Sequence, residues 1–279
     1  MTIIERVRIL IVADNVAGGR GLLAEHGLSF WLELGEQRVL FDTGQGLVLR
    51  HNAEALGLRL GSLDAVVLSH GHYDHTGGLA AVLNDRPGVP VYAHPEALAV
   101  RYSGRGAAAS EIGMPAAVRQ LLLERASFHS SHNPVHLGGL RLTGAIARQH
   151  GSPPVAGSFF LDAEGREVDP IADDQAAFAE TREGVVVLLG CGHAGLLDTL
   201  RQVESLSQGR RVTAVLGGLH LGAASDAQID VVVHALLERR VERVVPCHCT
   251  GVRATAALMQ ALGPRCSPGR VGAVYEFEQ

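Results

Sequence analysis

Ser69-His70-Gly71-His72-Tyr73-Asp74-His75-Thr76-Gly77-Gly78 is the stretch on which the reading of this chain turns. It continues an apolar run, Ala65–Ser69, with the composition of a buried strand. His70 and His72 are two apart, so extended backbone points both to one side. Gly71 removes bulk between them. Asp74 and His75 then turn the chain toward a helix. Three imidazoles and one carboxylate within six residues make a donor set for a borderline metal ion.

Three more apolar runs end the same way. Val185–Leu189 leads through Gly190-Cys191-Gly192 into His193. Val212–Leu216 leads through Gly217-Gly218-Leu219 into His220, and Arg243–Val245 through Pro246-Cys247 into His248. In open α/β sheets, sites lie beyond the carboxyl ends of the strands. If these strands are neighbours, their terminal histidines converge. Four donors in the first cluster, with the later histidines and cysteines, are enough for two metals.

The composition sets the frame. The chain has 279 residues, 47% apolar and 19% charged, which excludes disorder as the main state and supports a large core. One domain over 1–279 is expected. No apolar run reaches the ~18–20 residues of a membrane span. The net charge is −5, with acids and bases interspersed, so there is no electrostatic footprint for nucleic acid. The Ile-Leu-Ile-Val-Ala run near the N-terminus is too short for a secretory signal and reads as a first strand. Cys191, Cys247, Cys249 and Cys266 show no disulfide framework, which favours a reducing, cytoplasmic setting.

Strands are expected at Val7–Ala13, Phe30–Leu34, Arg38–Phe41, Ala65–Ser69 and Pro90–Ala93, and helices at Gly46–Leu56, Gly78–Asn84 and Pro95–Arg101. The last third alternates strand and helix: Val185–Leu189, Leu196–Ser207, Val212–Leu216, Asp226–Arg240, Arg243–Val245, Gly251–Leu262 and Val271–Phe277. Ser225-Asp226 is a suitable N-cap for the second of these helices. Such alternation means a sheet covered on at least one face. The middle, about 102–183, is rich in Gly, Ala, Ser and Pro. It carries a helix near Met114–Glu124 and weak strands at Leu140–Thr143 and Ser158–Leu161. It reads as a substrate-facing lid or as an irregular packing segment.

Other residues have two readings each. Asp42, before Thr43-Gly44, either orients a ligand histidine or serves a turn. Glu25 and His26 either face the site or merely precede a strand. Cys247 and Cys249 flank His248, so on extended backbone both point away from it, as structural thiols. Arg148 and Ser103-Gly104-Arg105-Gly106 could grip an anionic substrate, although a solvent-facing arginine is the commoner case. His129, His132 and His136 read as surface-loop residues. Gly217-Gly218 is no phosphate loop, because the accompanying lysine is missing.

His-x-His-x-Asp-His after an apolar strand resembles the signature of the metallo-β-lactamase superfamily. Further matching pieces run almost end to end: Glu25-His26-Gly27-Leu28-Ser29, Phe41-Asp42-Thr43-Gly44, Gly190-Cys191-Gly192-His193-Ala194-Gly195, Gly217-Gly218-Leu219-His220-Leu221 and His248-Cys249-Thr250-Gly251. These resemble the dihydropteroate-synthase-like branch, named for the archaeal 7,8-dihydropterin-6-methyl-4-(β-D-ribofuranosyl)aminobenzene 5′-phosphate synthase. The resemblance implies an α/β fold, an αββα sandwich with the site at one edge between the sheets. It implies His70 and His72 on one metal, and Asp74, His75 and His248 on a second. Cys191 falls where most members carry a bridging aspartate, a softer donor in its place. His193 then stands for the usual third histidine of the first metal, unless His150 serves. His220 is a ligand or a supporting donor. Where the branch usually has Gly-Glu-Ile-Pro-Arg, this chain reads Gly144-Ala145-Ile146-Ala147-Arg148, so a glutamate role is absent.

The expected cofactor is Zn2+, two per chain, with iron or manganese as alternatives. The expected activity is hydrolysis of a small ester, lactone or phosphoester, by a water made acidic between the metals and oriented by Asp74. Two other readings stand beside it. One is a transferase joining a dihydropterin to an aminobenzene ribosyl phosphate. The other is a non-catalytic metal-containing binding protein. The partner in each case is a small molecule, anionic or pterin-like.

Overall fold

The computed structural model describes residues 6–149 and 159–278. His150, a candidate above, lies outside the described residues. From the N-terminus come β1 (Arg6–Ala13), β2 (Ser29–Leu34), β3 (Gln37–Phe41), α1 (Leu49–Ala55), β4 (Ala65–Val67), α2 (Tyr73–Thr76), α3 (Leu79–Asp85) and β5 (Pro90–Ala93). The middle holds β6 (Tyr102–Ser103), β7 (Ser110–Glu111), α4 (Ala116–Arg125), β8 (Ser127–Ser130), β9 (Val135–Leu137), β10 (Leu140–Leu142), β11 (Phe159–Phe160) and β12 (Ala177–Glu180). The last third is β13 (Val185–Leu189), α5 (Leu196–Leu206), β14 (Val212–Gly217), α6 (Asp226–Glu238), β15 (Arg243–Pro246), α7 (Val252–Leu262) and β16 (Val274–Glu278).

Two mixed sheets result. One has the order β16-β1-β2-β3-β4-β5-β8, the other β15-β14-β13-β12-β10-β9. A small third sheet, β11-β6-β7, comes wholly from the middle segment. In the first sheet, β3, β4, β5 and β8 run parallel; in the second, β13, β14 and β15 do. Strand residues are apolar on both sides because both faces of each sheet are covered. Ile9, Ile11, Phe30 and Phe41 meet Val186, Leu188, Ala214 and Leu216 between the sheets. Leu10, Val12, Leu40 and Val66 turn the other way and pack with Leu49, Leu79, Val82 and Val118 of the helices outside. Val187, Leu189 and Val215 likewise meet Leu200, Ile229 and Leu258 on the far side. Three buried cores thus separate four layers, which is the αββα sandwich.

Local chemistry explains most element ends. Ser225 caps α6 through a capping box: its hydroxyl accepts from the Gln228 N–H, and the Gln228 side chain accepts from the Ser225 N–H. The helix expected over Pro95–Arg101 is only a 3-10 turn, Pro95–Leu98. The chain extends from Ala99, and Arg101 turns inward. The middle segment also supplies β8, β9, β10 and β12, edge and interior strands of both main sheets. Among the described residues, no helix is long and apolar enough to cross a membrane.

Arg101 is wholly buried. Its Nη1 donates to Asp169 Oδ2 at 2.7 Å, and its Nη2 to Asp173 Oδ1 at 2.7 Å. Asp173 Oδ2 in turn accepts the Gly71 N–H at 2.7 Å, in the middle of the His70–His72 segment. Replacing Arg101 leaves two buried carboxylates without their cation. Arg101→Met should therefore lower unfolding stability by about 3–5 kcal/mol in urea titrations. A loss under ~1 kcal/mol would show that the buried charges are compensated elsewhere.

Candidate metal centre

The carboxyl ends of β4, β13, β14 and β15 open on the same edge of the sandwich. Their loops bring His70, His72, His75, Cys191, His193, His220 and His248 into one cluster. Ring centroids of His70 lie 4.6 Å from His72, 4.3 Å from His75 and 4.8 Å from His193. His193 and His220 are 4.3 Å apart, and His75 and His248 5.0 Å. Gly71 is required here, since a β-carbon would strike the Ala97 carbonyl.

Four groups of donors lie close enough together to hold an ion: His70–Cys191–His193, His75–Cys191–His248, Cys191–His220–Cys249 and His26–Asp74–His248. Cys191 belongs to three of them, with its Sγ 3.2 Å from His75 Nε2. Asp74 Oδ2 is 3.1 Å from His26 Nε2, 3.2 Å from His248 Nε2 and 3.9 Å from His75 Nε2. His70 Nε2 and His72 Nδ1 are 3.0 Å apart.

A buried hydrogen-bond chain sets the ring orientations. Asp42, wholly buried at the end of β3 with φ +59°, accepts from the Ser69 N–H, the Ser69 hydroxyl and His75 Nδ1, each at 2.7 Å. An ionised carboxylate only accepts, so the Ser69 hydroxyl spends its proton on Asp42. His70 Nδ1, 2.9 Å from that hydroxyl, must then donate to it. In both rings Nδ1 is committed to this chain, and Nε2 is the nitrogen that faces the cluster. His248 Nδ1 donates to Asn15 Oδ1 at 2.8 Å, and the His248 backbone N–H to Asp14 Oδ1. Gly190 leaves room for this chain, because a β-carbon would collide with Ser69 Oγ.

The electrostatics suit cation binding. Burial pushes the His70 and His193 imidazoles well below their ordinary value, and neighbouring imidazoles push further. Burial takes His72 down to about 3. Neutral rings with free lone pairs are what a metal needs. His75 differs: burial disfavours its charge, yet Asp42 and Asp74 outweigh it and raise the ring to about 9, so a proton must leave Nε2 before that nitrogen can hold a cation. For Asp74 burial works upward, but the imidazoles of His75, His248 and His26 hold it well below the usual carboxylate range. His72 Nε2, His193 Nε2 and His220 Nδ1 are buried with no hydrogen-bond partner among the described residues. Three unpartnered ring nitrogens, a thiol and a carboxylate fit a divalent metal pair by their chemistry.

Other candidates fall elsewhere. Glu25 does not face the cluster: its carboxylate accepts the N–H groups of Gln45, Gly46, Leu47 and Val48 and clamps the loop after Asp42. His26 does reach it, with the side chain 56% exposed. Arg148 is exposed and donates to the Ile171 carbonyl. His132 pairs with His94 at 2.8 Å and His129 stacks on Tyr92, both away from the centre. Cys247 sits in the core between the sheets. Cys249 does not point away: His248 adopts φ +48° and a 3-10 turn, His248–Thr250, follows, so the two-residue alternation of a strand is broken.

Some contributors gave no signal in the sequence reading. Phe159 of β11 lies 5.4 Å from His72, 5.9 Å from His193 and 6.3 Å from His220, ring to ring, and roofs the histidines. Asp174, pushed up to about 7 by burial, accepts the Ala194 N–H at 2.7 Å and fixes the loop after Cys191.

The orienting role of Asp42 has a measurable consequence. Asp42→Asn keeps the shape but puts an amide where three donors need a carboxylate. Metal affinity, read by competition with a chromophoric chelator, should fall by about 10–100-fold with the fold retained. Unchanged affinity would leave Asp42 a turn residue only.

Residues 23–213 match the family model of the metallo-β-lactamase superfamily. An uncharacterized protein of Methanocaldococcus jannaschii is 31% identical over 256 residues, covering 90% of this chain and 94% of its own. The 7,8-dihydropterin-6-methyl-4-(β-D-ribofuranosyl)-aminobenzene-5′-phosphate synthase of the same organism is 27% identical, over 98% of each chain. Among solved structures, Tm1679, a metal-dependent hydrolase of the β-lactamase superfamily, superposes with a TM-score of 0.84 and 33% identity, covering 98% of this chain and 100% of its own. This chain belongs to the metallo-β-lactamase superfamily.

Proposed function

We propose that this protein is a metal-dependent hydrolase of a small ester, lactone or phosphoester, with two divalent cations, zinc foremost, in the histidine cluster. The observation that carries this reading is the set of buried, unpartnered ring nitrogens around Cys191 and Asp74. Cations held there would supply Lewis acidity to a carbonyl or phosphoryl oxygen and lower the pKa of a bound water. His70, His72 and His193 would hold one, with Asp74, His75 and His248 on the other and Cys191 shared.

The chain's own residues do the rest. Asp74 is held by His26 on the solvent side and His248 on the inner side, so its carboxylate has one orientation toward the attacking water. Asp42 and Ser69 hold Nδ1 of His75 and His70, so that Nε2 of each ring faces the cluster. Phe159 covers the cluster from above, and the small sheet that carries it serves as a lid that excludes bulk water. Four unpaired cysteines suit a reducing, cytoplasmic compartment.

A second reading has its own support. The full-length likeness to the dihydropterin-linked synthase favours transfer over hydrolysis on the same centre. Purified, zinc-loaded protein should be offered aryl esters, lactones and phosphodiesters, and in parallel a dihydropterin pyrophosphate with the aryl amine. Hydrolysis without coupled product supports the first reading; coupled product overturns it for the second. In either case Asp74→Ala should lower turnover by ~100-fold or more with metal content and fold measured alongside. Undiminished turnover would remove Asp74 from the mechanism.

A further inference from the structure

A thiol that neither reading uses lies against the centre. Cys249 Sγ, Cys191 Sγ and a ring nitrogen of His220 are within 4.8 Å of one another. They come from the ends of three adjacent parallel strands, β15, β13 and β14. Cys249 reaches toward Cys191: its Sγ lies 3.5 Å from the Cys191 carbonyl, to which it donates. His220 Nδ1 is buried without a partner, so no hydrogen bond holds that ring in another direction.

The backbone is shaped for this meeting. His248 and His220 both adopt left-handed φ, +48° and +49°, a costly conformation for residues other than glycine. The first brings Cys249 inward, and the second accompanies His220 in the loop after β14. Gly218 lies between. A β-carbon there would stand 2.6 Å from Cys249 Sγ and 3.1 Å from the Cys191 Cα. Only a glycine lets the two cysteines share this space.

We propose that Cys191, His220 and Cys249 form a soft-donor seat within the centre, selective for a thiophilic divalent cation such as zinc, cobalt or cadmium over magnesium or manganese. The inference rests on the two-metal reading and adds a donor to it. Cys191 is common to this seat and to the imidazole-lined positions, so one of the two cations can take the sulfur-rich side. Charge favours the arrangement. Two divalent cations bring four positive charges, against which Asp74 and Cys191 supply two negative ones. A second thiolate lowers the remainder in a site where unbalanced charge is expensive. Two sulfurs and an imidazole also discriminate by softness, which carboxylates and imidazoles alone do less well.

Zinc-edge X-ray absorption on the wild-type, zinc-loaded protein counts sulfur neighbours at ~2.3 Å without any substitution. Bridging Cys191 alone gives an average of one sulfur per zinc at two zincs per chain; Cys249 as a second ligand gives one and a half. Cobalt-loaded protein gives the second readout. Cys249→Ser should lose about a third of the sulfur-to-cobalt charge-transfer absorbance and weaken cadmium binding at least tenfold, while manganese affinity changes less than twofold. An average of one sulfur per zinc, or a charge-transfer band that survives Cys249→Ser intact, overturns the soft seat and leaves the two-metal centre standing. Failure of the wild type to take up zinc or cobalt overturns both.

Discussion

The carboxylate of Asp42 is the constraint on which the site depends. It is wholly buried, and its three short contacts all run to the segment that begins the histidine cluster. Through His75 directly and through Ser69 to His70, it fixes which nitrogen of each ring faces the cluster. An isolated buried carboxylate costs several kcal/mol, so the contacts must persist for the charge to be tolerated. The same requirement accounts for the left-handed backbone at Asp42 and for glycine at 190, where any side chain would displace the Ser69 hydroxyl.

The sandwich supplies the rigidity behind that network. Parallel strands in both sheets end on one edge, so four loops meet without any long excursion of the chain. Three of these loops are tied down by buried carboxylates: Gly71 to Asp173, Ala194 to Asp174, His248 to Asp14. Two of these anchors come from the segment just before β12, so the middle of the chain holds the site from below while Phe159 covers it from above. Side chains held this way would lose little freedom on taking up a cation, because their ordering is already met by folding.

Much of this was legible in the sequence. The long apolar runs were found because strands buried on both faces leave no ambiguity, and the clustered His-x-His-x-Asp-His followed from two-residue alternation. The limits have equally physical causes. β8 and β12 are four residues each, too short to show a period, and β8 is a polar edge strand. Pro95–Leu98 reads as helix, but burying the Arg101 guanidinium between Asp169 and Asp173 draws the chain out instead. Cys249 was misplaced by the rule that located His72. Alternation assumes extended backbone, and His248 departs from it. Glu25 reads either as facing the site or as merely preceding a strand, and four backbone N–H groups claim its oxygens.

The central claim is that these loops hold a metal pair. The direct measurement is metal content per chain by elemental mass spectrometry, on protein purified with neither added metal nor chelator and again after reconstitution with excess zinc and removal of the unbound ion. The account predicts two equivalents after reconstitution. One equivalent or none would contradict it, because Cys191 would then bridge nothing and the cluster would be at most a mononuclear site.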